Sequence, residues 1–292
     1  MNAFIEYHQD IINQKIENLR NNIKCSFEFF PPKNSNSEKK LWSSVKILSK
    51  LKPNFFSVTY GANSGERENT FNIVKAIQKQ TSIITAAHLT CVNSTPSQLK
   101  KIAKNYWENN IRSIIALRGD TLEKNYKYNM YAIDLIILLK KIADFDISVA
   151  AYPELHPESK NIQVDIINLK KKIDAGANRA ITQFFFNVES YLNFRENCIK
   201  NRINVEIIPG ILPIYNFQQI KRFSKMTNVN IPNWMFEMFD GLDQDLITQK
   251  IIGSSIIIDI VKRLSSEGVK NFHFYTLNQS DIAYSVCQIF GL

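Results

Sequence analysis

Short strand-like runs recur along this chain about once every 30 residues, the size of a βα unit, and this period constrains the fold more than any other feature. Runs rich in β-branched and aromatic residues fall at Lys24–Phe30, Asn54–Tyr60, Ile83–Leu89, Ile111–Leu117, Ile147–Tyr152, Arg179–Phe184, Asn204–Ile208 and Asn271–Tyr275. The stretches between them carry helical apolar patterns. One opens at STPSQLKKIAKNYWENN, with Thr95 at the N-cap, Pro96 at the first helical position and Gln98 three residues after the cap. Another is DIINLKKKIDAGAN, where Ile166, Leu169 and Ile173 form a stripe and Gly176 is a stop.

Strand then helix, repeated along 292 residues, predicts an α/β chain folded as a single (β/α)8 TIM barrel domain over residues 1–292. The gap before the last strand is longer. It holds IYNFQQIKRFSKM and a second helical stretch near Thr248–Arg263, so extra helices are expected before strand 8. A doubly wound sheet is the competing architecture. It is disfavoured because no two of the nine glycines have the G-x-G spacing of a dinucleotide loop.

Bulk properties exclude several classes. The formal net charge is +9, but the lysines are scattered among Asn and Ile along the whole chain and no recognition motif accompanies them, so no nucleic-acid partner is expected. No apolar run reaches the roughly 18 residues that span a bilayer, and no membrane association is expected. The opening MNAFIEYHQDIINQKIENLR lacks the apolar block of a signal peptide, and Cys25, Cys91, Cys198 and Cys287 are far apart. Reduced thiols and a cytoplasmic location are the expectation. No histidine sits at ligand spacing with another His, Cys or carboxylate, so no metal is expected.

In a barrel of this type, chemistry gathers where strands end and βα loops begin. In CSFEFFPP, alternation puts Ser26 and Glu28 on one face and Phe27 and Phe29 on the other. Glu28 is then either a buried acid paired with a cation or a proton donor whose pKa is raised by an apolar surround. Thr59 and Tyr60 end the second strand before a polar loop, and His88 ends the third. Arg118-Gly119-Asp120 puts opposite charges around a glycine that lets a ligand approach the backbone. The stretch 121–131 that follows has the length and polarity of a lid. Tyr152 and His156 lie in a proline-stiffened loop. Asp165, Asn168 and Lys172 share a stripe of the next helix, with Lys171 beside it, and a solvated face accounts for them equally well. Gln183 is a lone amide in the apolar end of the sixth strand.

SFEFFPP, SVTYGANSGER, AAHLTC, ALRGD, SVAAYPELHPE, DAGANRAITQFFF, VEIIPGILP and NFHFYTLN occur in that order over nearly the whole chain. Together they resemble the bacterial methylenetetrahydrofolate reductases. The resemblance implies an FAD-dependent barrel, commonly a homotetramer. It implies ping-pong reduction of 5,10-methylenetetrahydrofolate to 5-methyltetrahydrofolate by NADH, in support of methionine synthesis.

The resemblance also assigns residues. Glu28 becomes the general acid toward N10 of the folate, and Asp120 a carboxylate beside flavin and pterin. FAD contacts fall on Thr59, Tyr60, Ala62, His88, Arg118, Gly119, Asp120, Ala132, Tyr152, His156, Asp165, Asn168, Lys171 and Lys172. Folate or NADH contacts fall on Thr59, Asp120, Gln183, Gln219, Phe223 and Gln279, with Phe223 stacking on substrate. In two places the chain departs from the pattern. Lys171 and Gln279 stand where relatives have Arg, which replaces a bidentate fork with a point charge at the first and with a neutral amide at the second.

Overall fold

The computed structural model describes residues 23–60, 64–120 and 130–292, without the side chains of residues 64–66. Eight parallel strands close into a barrel in the order β1-β2-β3-β4-β5-β6-β7-β8. They are β1 (Lys24–Phe29), β2 (Phe55–Val58), β3 (Thr85–Thr90), β4 (Ser113–Leu117), β5 (Asp146–Ala151), β6 (Arg179–Phe184), β7 (Glu206–Ile211) and β8 (Asn271–Tyr275). The main helices after each strand are α1 (Ser35–Leu48), α2 (Ser64–Thr81), α3 (Pro96–Glu108), α4 (Ala132–Ile142), α5 (Ile162–Asp174) and α6 (Val188–Lys200). Between β7 and β8 come α7 (Phe217–Thr227), α8 (Asn233–Met238) and α9 (Leu246–Ser266), and α10 (Asp281–Ile289) closes the chain. The expected barrel with extra helices before its last strand is the observed fold.

Two apolar layers hold it. The larger lies between sheet and helices and includes Phe27, Phe29, Phe56, Leu89, Ile114, Val149, Phe272 and Phe274. The smaller fills the barrel interior with Phe55, Ala86, Ile115, Ile181 and Ile208. The pleat therefore sends odd and even residues of each strand to different cores. α3 begins as expected: Thr95 accepts from Gln98 N, and the Gln98 side chain returns the bond to Thr95 N at 2.8 Å.

β7 differs from the expected Asn204–Ile208. It starts later and runs on through Pro209 and Gly210. A proline cannot donate to a ladder, and here the ladder is broken opposite it. Ile181 pairs with Ile208 and Phe184 with Gly210, so Thr182 and Gln183 together face Pro209 in a bulge. Two side groups take up the bonds that the bulge frees. Gly210 N donates to Thr182 Oγ1 at 2.9 Å, and Tyr275 Oη donates to Thr182 O at 2.6 Å.

Candidate functional site

The C-terminal ends of the strands form one mouth, where Glu28 and His88 meet. Glu28 points inward, away from Phe27 and Phe29, whose rings sit in the outer core. Its neighbours are two imidazoles and not the apolar surround expected from CSFEFFPP. His88 Nε2 lies 3.2 Å and His273 Nε2 3.7 Å from Glu28 Oε2, and all three residues are buried. Burial alone pushes the Glu28 carboxyl up. The charge of His88 and the polar contacts of His273 and His88 outweigh it, and the pKa is lowered to about 2. A raised Glu28 pKa is thus corrected, and the cause is the pleat, which turns the phenylalanines to the other face. The resting acid is a carboxylate.

Sequence reasoning missed His273 and its support. Its Nδ1 lies 2.7 Å from Ser26 Oγ, its ring stacks on Phe55 at 5.6 Å, and it is fully buried. The available signal was alternation in NFHFY, which puts His273 on the Tyr275 face. Only the register, with Ser26 opposite His273 and Glu28 opposite Tyr275, brings that face to Glu28.

Around the mouth of β4 and β5 lies a cleft of about 950 Å³. It brings together Arg118, Gly119, Asp120, Ala132, Tyr152, His156, Asp165, Asn168, Lys171 and Lys172. Gly119 has φ +86°, and a Cβ there would come within 2.5 Å of Val92 Cγ1, so a side chain would not fit against the residues that follow β3. Arg118 makes a two-pronged pair with Glu158, whose second contact is 3.0 Å, and lies 3.7 Å from the fully exposed Asp120 carboxylate. Glu158 was another residue not singled out from sequence. Asp165 accepts from His156 N at 3.0 Å, and the His156 ring meets Tyr152 edge-on at 4.5 Å, so the helix stripe braces the loop after β5.

Lys172 donates to Ala150 O, and burial lowers its ammonium pKa to about 8 against the pull of Asp165. A lysine held in that state is poised to accept an anion. The wall thus combines Arg118, Lys171 and Lys172 with the Tyr152 ring, which fits the diphosphate and ring system of a dinucleotide cofactor. Lys171 is an exposed point charge at the edge of the same cleft.

The remaining expected residues lie outside the lining of that cleft. Thr59 and Tyr60 follow β2 and are half-buried. Gln183 sits in the β6 bulge. Its Oε1 accepts from Phe184 N at 3.0 Å, so what it offers a ligand is its NH₂ group. Gln219 and Phe223 lie one turn apart on α7, capped by Asn216, whose side chain accepts from Gln219 N. Gln279 follows Leu277 and Asn278, both at positive φ (52° and 57°). Asn278 holds that turn against β1 by accepting from Phe30 N and donating to Phe30 O, each at 2.9 Å. Ala62 and residues 121–129 of the expected lid lie outside the described residues. Among the described residues no cluster could hold a metal ion, and no helix is long and apolar enough to cross a membrane.

The family model for methylenetetrahydrofolate reductase matches residues 11–291. The chain is 73% identical to the 5,10-methylenetetrahydrofolate reductase of Buchnera aphidicola subsp. Acyrthosiphon pisum over the full length of both. It is 57% identical to that of Escherichia coli K12, covering all of this chain and 99% of the other. Among solved structures, an uncharacterised Clostridium thermocellum protein that binds two copies of 5-methyl-5,6,7,8-tetrahydrofolic acid superposes with a TM-score of 0.63, covering 95% of this chain and 97% of that one. At 17% identity this likeness shows the shared barrel only. From the family match and the full-length identities, the chain belongs to the methylenetetrahydrofolate reductase family.

Proposed function

We propose that the chain reduces 5,10-methylenetetrahydrofolate to 5-methyltetrahydrofolate in two half-reactions, with NADH as reductant and FAD as resident cofactor, supplying methyl groups for methionine synthesis. The observation that carries this reading is a buried carboxylate between two imidazoles in the same mouth as a cleft lined with cations and the Tyr152 ring. FAD, when bound, supplies the hydride relay between the two substrates. Arg118, Lys171 and Lys172 would hold its diphosphate, and Tyr152 and His156 would wall its rings. The named 30%-identical relative from Arabidopsis thaliana, a methylenetetrahydrofolate reductase (NADH), supports the choice of reductant.

Glu28 performs the acid step. At rest it is an anion, with its pKa near 2. A pterin settling over it removes remaining solvent, which pushes the carboxyl up, so the proton is taken up as substrate arrives. Its transfer to N10 breaks the N10–C bond and leaves an iminium cation at N5. Glu28 is then again an anion beside that cation, and Asp120 adds a second negative charge. Gln183 orients the pterin through its NH₂ group, and Phe223 covers the substrate from α7.

The proposal extends to a homotetramer in the cytoplasm. Trp234, Phe236, Leu246, Ile247 and Ile251, on α8 and α9, are exposed apolar side chains of the kind that subunits cover.

The test is to measure the two half-reactions separately. The purified protein should be yellow, bleach with NADH under anaerobic conditions, and recolour with methylenetetrahydrofolate. In Glu28→Gln, flavin reduction should survive, while folate reduction falls by about 10²–10⁴, the usual worth of general acid catalysis. Equal loss of both half-reactions would assign Glu28 a structural role.

A further inference from the structure

The geometry points to His273 as a positioning residue for Glu28: Ser26 fixes its tautomer, and the fixed ring presents an N–H to the Glu28 carboxylate. The inference rests on the reading of Glu28 as the acid of the folate half-reaction.

Ser26 on β1 stands opposite His273 in register. Its hydroxyl has one proton and two acceptors within reach, His273 Nδ1 at 2.7 Å and Phe272 O at 3.3 Å. The shorter contact takes the proton. His273 Nδ1 is then an acceptor, and the proton of the neutral ring must sit on Nε2. Burial favours the neutral ring, lowering the His273 pKa against the opposing charge of Glu28. Nε2 is buried without another hydrogen-bond partner and faces Glu28 Oε2 at 3.7 Å. Such an N–H has one anion to serve.

The other groups around the pair are few. β3 contributes His88, 3.2 Å from the same carboxylate oxygen. β8 contributes Tyr275, whose hydroxyl is committed to Thr182 O and whose ring meets His273 edge-on at 5.3 Å. β2 contributes Phe55, stacked on the imidazole, and its register neighbour Ser57 faces Glu28. β7 contributes Gly210, which pairs with His273 in register. His88 and Tyr275 are the titratable groups among these. The 3.7 Å separation is longer than a hydrogen bond, so in the resting site the N–H acts as a directed dipole. It becomes a full bond when Glu28 moves about half an ångström toward it.

This arrangement divides the work at Glu28. His273 holds the carboxylate form and its orientation between turnovers, and the substrate raises its proton affinity. Removing the Ser26 hydroxyl frees the ring to place its proton on Nδ1, leaving a bare Nε2 lone pair against the carboxylate. The ionised acid would then lose its donor and face a repulsive one.

Two measurements test the inference. The first is the side-chain nitrogen NMR spectrum of ¹⁵N-histidine-labelled full-length protein. The chain has four histidines, so the His273 signals can be assigned by their loss in His273→Gln. The neutral Nε2–H form is expected at pH 7. A protonated Nδ1 would overturn the inference, and this readout needs neither flavin nor substrate. The second is the pH profile of the folate half-reaction in Ser26→Ala. The limb on which its activity falls as pH rises, set by deprotonation of the acid, should move up by about one unit, with the NADH half-reaction and flavin content unchanged, and His273→Gln, which keeps an N–H near the Nε2 position, should move less than His273→Leu. An unmoved profile, or matched loss of both half-reactions, overturns the positioning role. Failure of the wild type to recolour with methylenetetrahydrofolate would instead overturn the proposed function, leaving the NMR result to judge the tautomer by itself.

Discussion

Among the described glycines, Gly210→Ala meets the tightest contact. A Cβ at 210 would lie 2.1 Å from Thr182 O, 2.6 Å from Tyr275 Cε2 and 2.8 Å from Tyr275 Oη. Ordinary contact begins at 3.4 Å, so the Thr182 carbonyl must retreat by the difference from 2.1 Å, about 1.3 Å. That carbonyl lies in the β6 bulge and accepts the Tyr275 hydroxyl, while its own side chain accepts from Gly210 N. Losing these two bonds costs about 0.5–1.5 kcal/mol each, and overpacking a closed strand pair adds about 1–3 kcal/mol. The expected destabilisation is therefore about 4 kcal/mol. With an m-value of about 3 kcal/mol/M, the urea midpoint should fall by more than 1 M, provided wild type and variant are compared at equal protein and flavin concentrations. The background variant Tyr275→Phe discriminates the cause. It removes the hydroxyl but leaves the carbonyl in place, so Gly210→Ala should still cost more than half as much there. A midpoint shift below about 0.3 M, or near-complete rescue in the Tyr275→Phe background, would refute the claim that the bulge carbonyl requires glycine.

Two further outcomes concern the cleft beside β4 and β5, where the proposed function seats FAD. Burial lowers the Lys172 pKa to about 8, and pairing with a phosphate would return it toward its ordinary value of 10.5, so FAD binding should take up a proton above pH 8. The sign is that affinity falls as pH rises through that window, by up to about tenfold per unit for one proton. Flavin titrations of apoprotein should show this slope, and Lys172→Met should bind more weakly but without it. Glu158→Gln should tighten FAD binding several-fold, because Arg118 now divides itself between that exposed carboxylate and the cleft; weaker binding would mean that the pair orients Arg118 for its ligand.

The parts of this molecule that alternation and period control were legible in the sequence. The period put strand starts close to their observed positions, and the pleat of β1 placed Glu28 inside. What could not be read depends on contacts across the sheet. Phe27 and Phe29 are Glu28's neighbours in sequence but point to the other core, whereas His88 and His273 are its neighbours in space. The direction of its pKa shift was therefore misjudged. The seventh strand was expected to end at Ile208, but it runs on through Pro209, because the bulge in β6 removes the need for that residue's donor. α8, with six residues, is too short to show a period. The Asp165, Asn168 and Lys172 stripe looked like any solvated helix face, and only its position beside Arg118 and Tyr152 distinguishes it.

The closing seam between β1 and β8 has a consequence for how the protein is made. Ser26 and Glu28 emerge early from the ribosome, while His273 and the Asn278 clasp on Phe30 come almost at the end. The strands that line the cleft, β4 and β5, are complete well before that. A growing or C-terminally clipped chain therefore holds the strands of the cleft before Glu28 has its His273 neighbour. On the proposed reading, the pair of Glu28 and His273 is completed last, and a chain lacking β8 would not reduce folate.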